Sequence, residues 1–336
     1  MSPRMRAMQL TLPAPAQTQP LELVVRDAPE PAPGEVRVAV EVCGVCRTDL
    51  HVVEGDLEPH TAHVIPGHQV VGRVDAVNGP GPLEVGQRVG VAWLNRACGA
   101  CRFCARDAEN LCLAPRFTGW DCDGGFAEQV TVPAEFAYPL PEAAHPRSLA
   151  PLLCAGIIGY RAWKTVGVVA GGRLGIWGFG GSAHITIQVA RHHGCEVYVF
   201  SRGGAHRKLA EELGAAWVGD SFDRPPQALD GAILFAPAGE LVQPALSALD
   251  RGATLAIAGI HLSVVPPLDY RAHLFQERVL RSVTANTRSD GRELLALAAE
   301  IPIRTETQAY PLEQANQALV DLKQDRVRGA AVLEID

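Results

Sequence analysis

The chain has 336 residues, 47% hydrophobic and 20% charged, with 25 prolines, 33 glycines and a formal net charge of −7. That length and apolar content suit about two globular domains and exclude a disordered chain. The acidic balance, with a pI near 5.9, excludes the basic surface on which nucleic-acid binding depends.

Arg4 and Arg6 precede a stretch interrupted by Gln9, Pro13, Pro15 and Gln17, so no secretory apolar segment is expected there. The longest apolar run, 148–160, lies between Arg147 and Arg161. It falls short of the roughly 20 residues a membrane span needs. A cytoplasmic location with no membrane partner is expected. In a reducing compartment the nine cysteines read as metal ligands or buried hydrophobes, not disulfides.

Up to about residue 150, short β-like runs at 35–42, 70–77, 88–92 and 127–132 are separated by Gly, Pro and Asn. They predict a compact, partly antiparallel β domain. Near residue 155 the texture changes. Strand-like runs at 174–179, 196–200, 215–218, 231–236, 254–260 and 279–283 alternate with helical stretches, among them 183–193 and 205–213. Six strands alternating with helices predict a doubly wound parallel sheet, the α/β arrangement of a Rossmann domain. The end of the chain returns to a mixed pattern, and 330–335 reads as a strand able to complete the first domain. The expected division is 1–154 with 290–336 as one domain and 155–289 as the other.

Cys98, Cys101, Cys104 and Cys112 are separated by two, two and seven residues. Four thiolates so spaced can close a tetrahedron around zinc without outside help, the signature of a structural site. The alternative is four unrelated buried cysteines, but chance rarely gathers so many of a scarce residue. Nucleic-acid-binding ribbons carry similar clusters; here Arg96, Arg102 and Arg106 are offset by Asp107 and Glu109.

A catalytic zinc draws three ligands from distant segments and keeps a fourth position open. Three candidates stand out. Cys46 lies in Gly44-Val45-Cys46-Arg47-Thr48-Asp49-Leu50-His51, His68 in Pro66-Gly67-His68-Gln69, and Cys154 where the two textures join. Alone, Cys154 would read as a core cysteine. Asp49 can orient an imidazole ligand, and Thr48 with His51 could pass a proton away from a substrate hydroxyl. His60 and His63 read as loop histidines, and Cys43, Cys122 and Cys195 take no role.

Gly178-Phe179-Gly180-Gly181-Ser182-Ala183 follows an apolar strand and opens a helix. That context predicts a dinucleotide turn with the pyrophosphate on the helix N-terminus. An NAD-preferring site places a carboxylate after the second strand. Here that strand ends in Ser201-Arg202-Gly203-Gly204. A hydroxyl beside a guanidinium suits a 2′-phosphate, so NADP(H) is expected, with NAD(H) and a merely solvated Arg202 as the alternative.

Over essentially its whole length the chain resembles the zinc-containing medium-chain alcohol dehydrogenases. The resemblance rests on 44–51, 66–72, 93–112, Asp123-Gly124-Gly125-Phe126-Ala127-Glu128, Cys154 and the turn at 178–181. It implies a GroES-like β-rich catalytic domain beside the Rossmann domain and two zinc ions per chain. The catalytic ion would be held by Cys46, His68 and Cys154, the structural ion by the four-cysteine lobe. Thr48 would bond the reacting hydroxyl, His51 would end a proton relay, and Asp49 would support the site. Arg47 would meet the cofactor pyrophosphate, with Ala236 and Ile260 beside the cofactor and Trp93 and Trp120 lining the substrate pocket. Many relatives carry glutamate where this chain has Gln69, which removes a negative charge near the zinc.

The expected activity is hydride transfer between a small, primary alcohol or aldehyde and NAD(P), in a homodimer or homotetramer joined through the strand at 279–286. Rival readings are a polyol, threonine or cinnamyl-type dehydrogenase on the same scaffold, a zinc-ribbon binding protein, and a redox-silent relative. The complete nucleotide turn argues against the ribbon. The presence of Cys46, His68, Cys154, Thr48 and His51 argues against the silent relative.

Overall fold

The two textures of the sequence become two units in the computed structural model, which describes residues 3–335. One contains the residues up to Cys154, Ala285–Ala299 and those from Arg304 onward; the other contains Ala155–Thr284 and Glu300–Ile303.

The first unit opens with an antiparallel hairpin of β1 (Arg4–Leu10) and β2 (Leu21–Asp27). Then come β3 (Glu35–Val45), α1 (Arg47–Glu54), β4 (Gln69–Val77), β5 (Arg88–Val91), β6 (Leu94–Arg96), β7 (Arg116–Phe117), β8 (Gln129–Pro133), β9 (Ala137–Pro139) and α2 (Pro146–Leu149). In β3 the alternate residues Val36, Val38, Val40 and Val42 are buried, the period-two pattern of a strand with one face on a core.

The second unit runs through α3 (Ala155–Val166), β10 (Arg173–Trp177), α4 (Gly181–His192), β11 (Glu196–Phe200), α5 (Gly204–Glu212), β12 (Trp217–Gly219), β13 (Leu229–Leu234), α6 (Val242–Ala248), β14 (Leu249–Ile257), α7 (Tyr270–His273) and β15 (Val279–Ser282). Its six strands are all parallel in the order β12-β11-β10-β13-β14-β15. The chain starts in the middle of the sheet and reverses direction between β10 and β13. That reversal is the switch point at which doubly wound sheets bind nucleotides. Leu174, Ile176, Val199 and Ile233 are wholly buried, as strands covered on both faces require.

The chain then supplies α8 (Arg288–Glu300), β16 (Thr307–Pro311), α9 (Ala315–Lys323) and β17 (Ala330–Glu334). Strand β17 pairs antiparallel with β3, setting Ala331 opposite Val45, so the chain's end completes the first unit's sheet. That sheet has seven strands, β16-β17-β3-β4-β5-β9, with β8 also paired to β3.

Three details depart from the sequence reading. The β1–β2 hairpin and β16 form where no strand was expected. Strand β14 begins at Leu249, ahead of the apolar run at 254–260. The chain returns to the first unit at Ala285, before α8 begins, and Glu300–Ile303 belongs with the second unit, so the expected boundary at 289/290 falls inside a helix. Among the described residues, no helix is long and apolar enough to cross a membrane.

Candidate functional site

Cys46 is the N-cap of α1 and carries extended backbone, with Asp49 three residues on. Asp49 reaches back to accept the Cys46 backbone N–H at 2.8 Å, the reciprocal half of a capping box. The helix start therefore fixes a thiol and a carboxylate together. Thr48 and His51 follow at i and i+3, on one helical face. Gly55 ends the helix in the left-handed conformation, at φ 82°.

His68 arrives from the segment before β4. The turn that delivers it needs Gly67, which sits at φ +101° with Phe126 and Cys43 so close that a Cβ would lie 2.5 Å from the Phe126 ring. Cys154 comes from the segment between α2 and α3. The His68 Nε2 lies 3.4 Å from Cys46 Sγ and 3.3 Å from Cys154 Sγ, and the two sulfurs are 3.9 Å apart.

Tetrahedral zinc with ordinary Zn–S and Zn–N bonds would set sulfurs about 3.8 Å apart and each sulfur about 3.6 Å from the nitrogen. The three donors already hold nearly that triangle. Asp49, itself buried, faces His68 Nδ1 at 3.0 Å and accepts the Gly67 N–H at 3.2 Å. With the Nδ1–H donated to Asp49, Nε2 is the ring nitrogen that faces the thiols and is left for a metal. Burial opposes a charge on His68, but the Asp49 carboxylate and Cys46 outweigh it and carry its pKa from 6.5 to about 10. Hydrogen bonding to Cys154, with burial, pushes the Cys46 thiol well above its usual range. These groups hold protons where a divalent cation would replace them, so the donor set fits zinc.

Two further features surround this triad. Gln69 is buried and pairs with Gly44 across the β3–β4 ladder. Its Nε2 has no hydrogen-bond partner among the described residues. His51 Nδ1 lies 2.7 Å from Asp56 Oδ2, a partner that the sequence reading missed. Asp56 follows the Gly55 cap, so the signal was an acid five residues after a histidine across a helix end.

Trp93 turns its ring edge-on to His68, with centroids 4.9 Å apart, and lies nearly parallel to Trp120 at 6.0 Å. Phe117 stacks on both indoles. His60, expected to be a plain loop residue, stacks on Trp120 at 4.1 Å. An aromatic row thus begins at the metal-ligand candidate His68. Arg47 pairs with Asp325 at 2.6 Å on an exposed surface of the same unit.

The four-cysteine lobe lies between β6 and β7, its ligand atoms within 4.8 Å of one another. Backbone N–H groups of Cys98 and Ala114 point at Cys112 Sγ, and that of Cys101 at Cys98 Sγ. Such bonds favour thiolates. Backbone donors of Ala100 and Cys101 lower the Cys98 thiol, and those of Cys104 and Leu113 bring Cys101 down to about 6. Burial takes Cys104 up to about 12. The four donors fit a closed zinc site. Glu109 fastens this lobe to the start of α8 by accepting from the Arg288 guanidinium and backbone N–H.

In the second unit, Gly178 follows β10 at φ +86°, and a Cβ there would lie 2.8 Å from the Ala236 backbone nitrogen. Only glycine fits. Gly180 caps α4 without any side-chain bond, leaving the first-turn N–H groups of Gly181, Ser182 and Ala183 without intrahelical acceptors. A pyrophosphate suits that cradle. Ser201 is buried at the end of β11, and Arg202 is exposed beside it. Ala236 packs on the glycine turn, while Ile260 is exposed after β14.

Two family models match the chain: "Alcohol dehydrogenase GroES-like domain" over residues 32–142 and "Zinc-binding dehydrogenase" over residues 181–300. A Mycobacterium tuberculosis protein named "Probable alcohol dehydrogenase AdhA" is 57% identical, covering 98% of this chain and 97% of its own. Among solved structures, a cinnamyl alcohol dehydrogenase from Sorghum bicolor superposes with a TM-score of 0.89 at 25% identity, over 99% of this chain and 98% of its own. A zinc-binding dehydrogenase from Sinorhizobium meliloti bound to NADP superposes at 0.85 with 26% identity, over 99% and 100%.

Proposed function

This chain belongs to the zinc-containing medium-chain alcohol dehydrogenases, and from that premise we propose that it interconverts a small primary alcohol and its aldehyde with NADP(H) as the hydride carrier. The observation that carries the reading is the meeting of Cys46, His68 and Cys154 within 3.9 Å, backed by Asp49.

Zinc held by Cys46, His68 and Cys154 would supply Lewis-acid polarisation of the substrate oxygen. Nicotinamide would supply or accept the hydride. The protein's own groups do the rest. Asp49 orients His68 so that Nε2 faces the thiols. Thr48, two residues after Cys46, bonds the reacting hydroxyl and passes its proton towards His51. Asp56 holds the His51 ring at Nδ1 and offers the proton a route to solvent, since its side chain is 59% exposed. Trp93 and Trp120 exclude water and bound the space for the substrate's carbon chain. The four-cysteine lobe would hold a second zinc that shapes its loop.

On the nucleotide side, Gly178, Gly180, Gly181, Ser182 and Ala183 bind the pyrophosphate, with Ala236 and Ile260 beside the ring system. Ser201 and Arg202 favour a 2′-phosphate because β11 is followed by a hydroxyl and a guanidinium and by no carboxylate. The NADP carried by the Sinorhizobium relative supports the same choice. We place the enzyme in the cytoplasm, as six of nine cysteines form two ligand sets. A homo-oligomer joined through the β15 edge fits the exposure of Val279, Phe275 and Tyr270.

The test is steady-state reduction of short aldehydes with NADPH and NADH, before and after chelation, in wild type and Arg202→Ala. Zinc-dependent turnover is expected, with NADPH preferred and about tenfold of that preference lost in the variant. An NADH preference unaltered by the substitution refutes the 2′-phosphate assignment. Turnover indifferent to chelation refutes the metal site.

A further inference from the structure

The loop between α1 and β4 is exposed from Glu58 to His63, yet it is fastened at several points to one short turn. His60 Nδ1 lies 2.7 Å from Asp121 Oδ1. Thr61 Oγ1 donates to the Asp121 carbonyl at 3.1 Å, and Trp120 Nε1 donates to the Glu58 carbonyl at 2.9 Å. Asp121 is itself fixed, since its Oδ2 accepts the Phe117 N–H at 2.8 Å and its carbonyl accepts from Arg116. Its side chain is 15% exposed, against 49% for His60. A rigid carboxylate thus holds a ring that would otherwise swing in solvent.

That ring lies on Trp120, with centroids 4.1 Å apart and planes 24° from parallel. Trp120 in turn runs nearly parallel to Trp93, which abuts His68. Beside the stack is a cavity of about 260 Å³, lined by Leu10, Val52, Pro59, Val64, His60 and Trp120. Engineered cavities of about 150 Å³ accommodate a benzene ring, so there is room here for the imidazole once displaced from Trp120.

We propose that His60, clamped by Asp121, caps the aromatic wall at Trp120 and so restricts the enzyme to small substrates. An imidazole in this place occupies the indole surface on which a planar aromatic substrate would stack. The ligand class excluded by the cap is the aryl aldehyde or alcohol, and Asp121 is the positioning residue that keeps the cap in place. The inference rests on the reading of Trp93 and Trp120 as the substrate wall.

The experiment compares kcat/KM for acetaldehyde and propionaldehyde with that for benzaldehyde and cinnamaldehyde, in the zinc-loaded full chain. Taking the ratio within each variant cancels any general loss of folded enzyme. His60→Ala should raise the aryl-to-short-chain ratio about tenfold, through a lower KM for the aryl substrates. Asp121→Asn should move it in the same direction. His60→Phe, which restores a ring on Trp120 without the bond to Asp121, should bring it back towards wild type. An unchanged ratio in His60→Ala, or a His60→Phe ratio equal to that of His60→Ala, overturns the cap. Trp120→Ala separates the two levels of the argument. If it alters the ratio while His60→Ala does not, the wall stands and the cap fails. If neither alters it, the wall assignment fails as well.

Discussion

Replacing Asp49 by asparagine changes one atom in size and almost everything in hydrogen bonding. The buried carboxylate accepts the Cys46 N–H at 2.8 Å, the Gly67 N–H at 3.2 Å and the His68 Nδ1 proton at 3.0 Å. Asparagine offers one acceptor oxygen and an NH2 group that only donates. Whichever way the amide is turned, its donor side meets a donor. If that donor is His68, the ring can escape only by moving its proton to Nε2, where the lone pair is needed for metal. One charge-assisted bond lost costs about 1.5–3 kcal/mol. The loss of a ligand-orienting partner costs about 10–100-fold in metal affinity, roughly 1.4–2.7 kcal/mol. The two routes agree. Zinc affinity measured by chelator competition should therefore fall by one to two orders of magnitude, about 10–100-fold, at the Cys46–His68–Cys154 site. The four-cysteine site serves as the internal control, since Asp49 donates nothing to it. An asparagine variant that binds both zincs with wild-type affinity would refute the tautomer argument.

Two other expectations follow from the same chemistry. In the metal-free protein the Cys46 thiol lies well above its usual range and His68 near 10, so both hold protons at neutral pH. For His68 the sign is that of a raised base: its contribution to the metal-free fold is complete below its ordinary pKa of 6.5 and is lost as pH rises through about 10. Zinc must displace these protons, so its affinity rises with pH, by roughly a hundredfold per unit between pH 6 and 8 if two protons leave. Indicator-dye titration of zinc into protein already carrying one ion measures the release, and none at this second addition contradicts the ligand assignment. Arg288→Met should lower thermal stability, because Glu109, whose side chain is 10% exposed, loses a partner that approaches within 2.8 Å. The cost lies towards the lower end of the roughly 3–5 kcal/mol found for orphaning a buried charge. A melting curve that does not move would place the Cys lobe's anchorage elsewhere.

What could be read from the sequence was whatever repeats locally. Six apolar runs broken by helical stretches gave the parallel sheet, because buried parallel strands must be apolar on both faces. The four clustered cysteines and the glycine turn likewise carry their geometry in their spacing. The hairpin β1–β2 was illegible because Leu23 and Val25 face solvent while Met5, Ala7 and Met8 are buried, so no clean alternation survives the prolines between the strands. His60 was passed over for a different reason. Its partner Asp121 is 61 residues away, and nothing local in a loop announces a pairing that only the folded sheet brings about. The same is true of Glu109 and Arg288, separated by 179 residues.

The two cysteine sites reach a common end by opposite electrostatics. In the lobe, amide N–H groups aimed at sulfur lower Cys98 and bring Cys101 to about 6, so part of the negative charge that zinc requires is present before the ion arrives. In the triad, hydrogen bonding to Cys154 and burial hold the proton on Cys46, and a carboxylate behind His68 sets the ring's direction. A site built from partly ionised thiolates closes tightly around its ion and gives it a structural part. A site built from reluctant donors, one of them neutral nitrogen, carries less charge, leaves the ion more electrophilic and suits a fourth position kept for substrate. Under the proposed two-zinc reading, the surroundings of each sulfur suit one site to a structural ion and the other to a catalytic one.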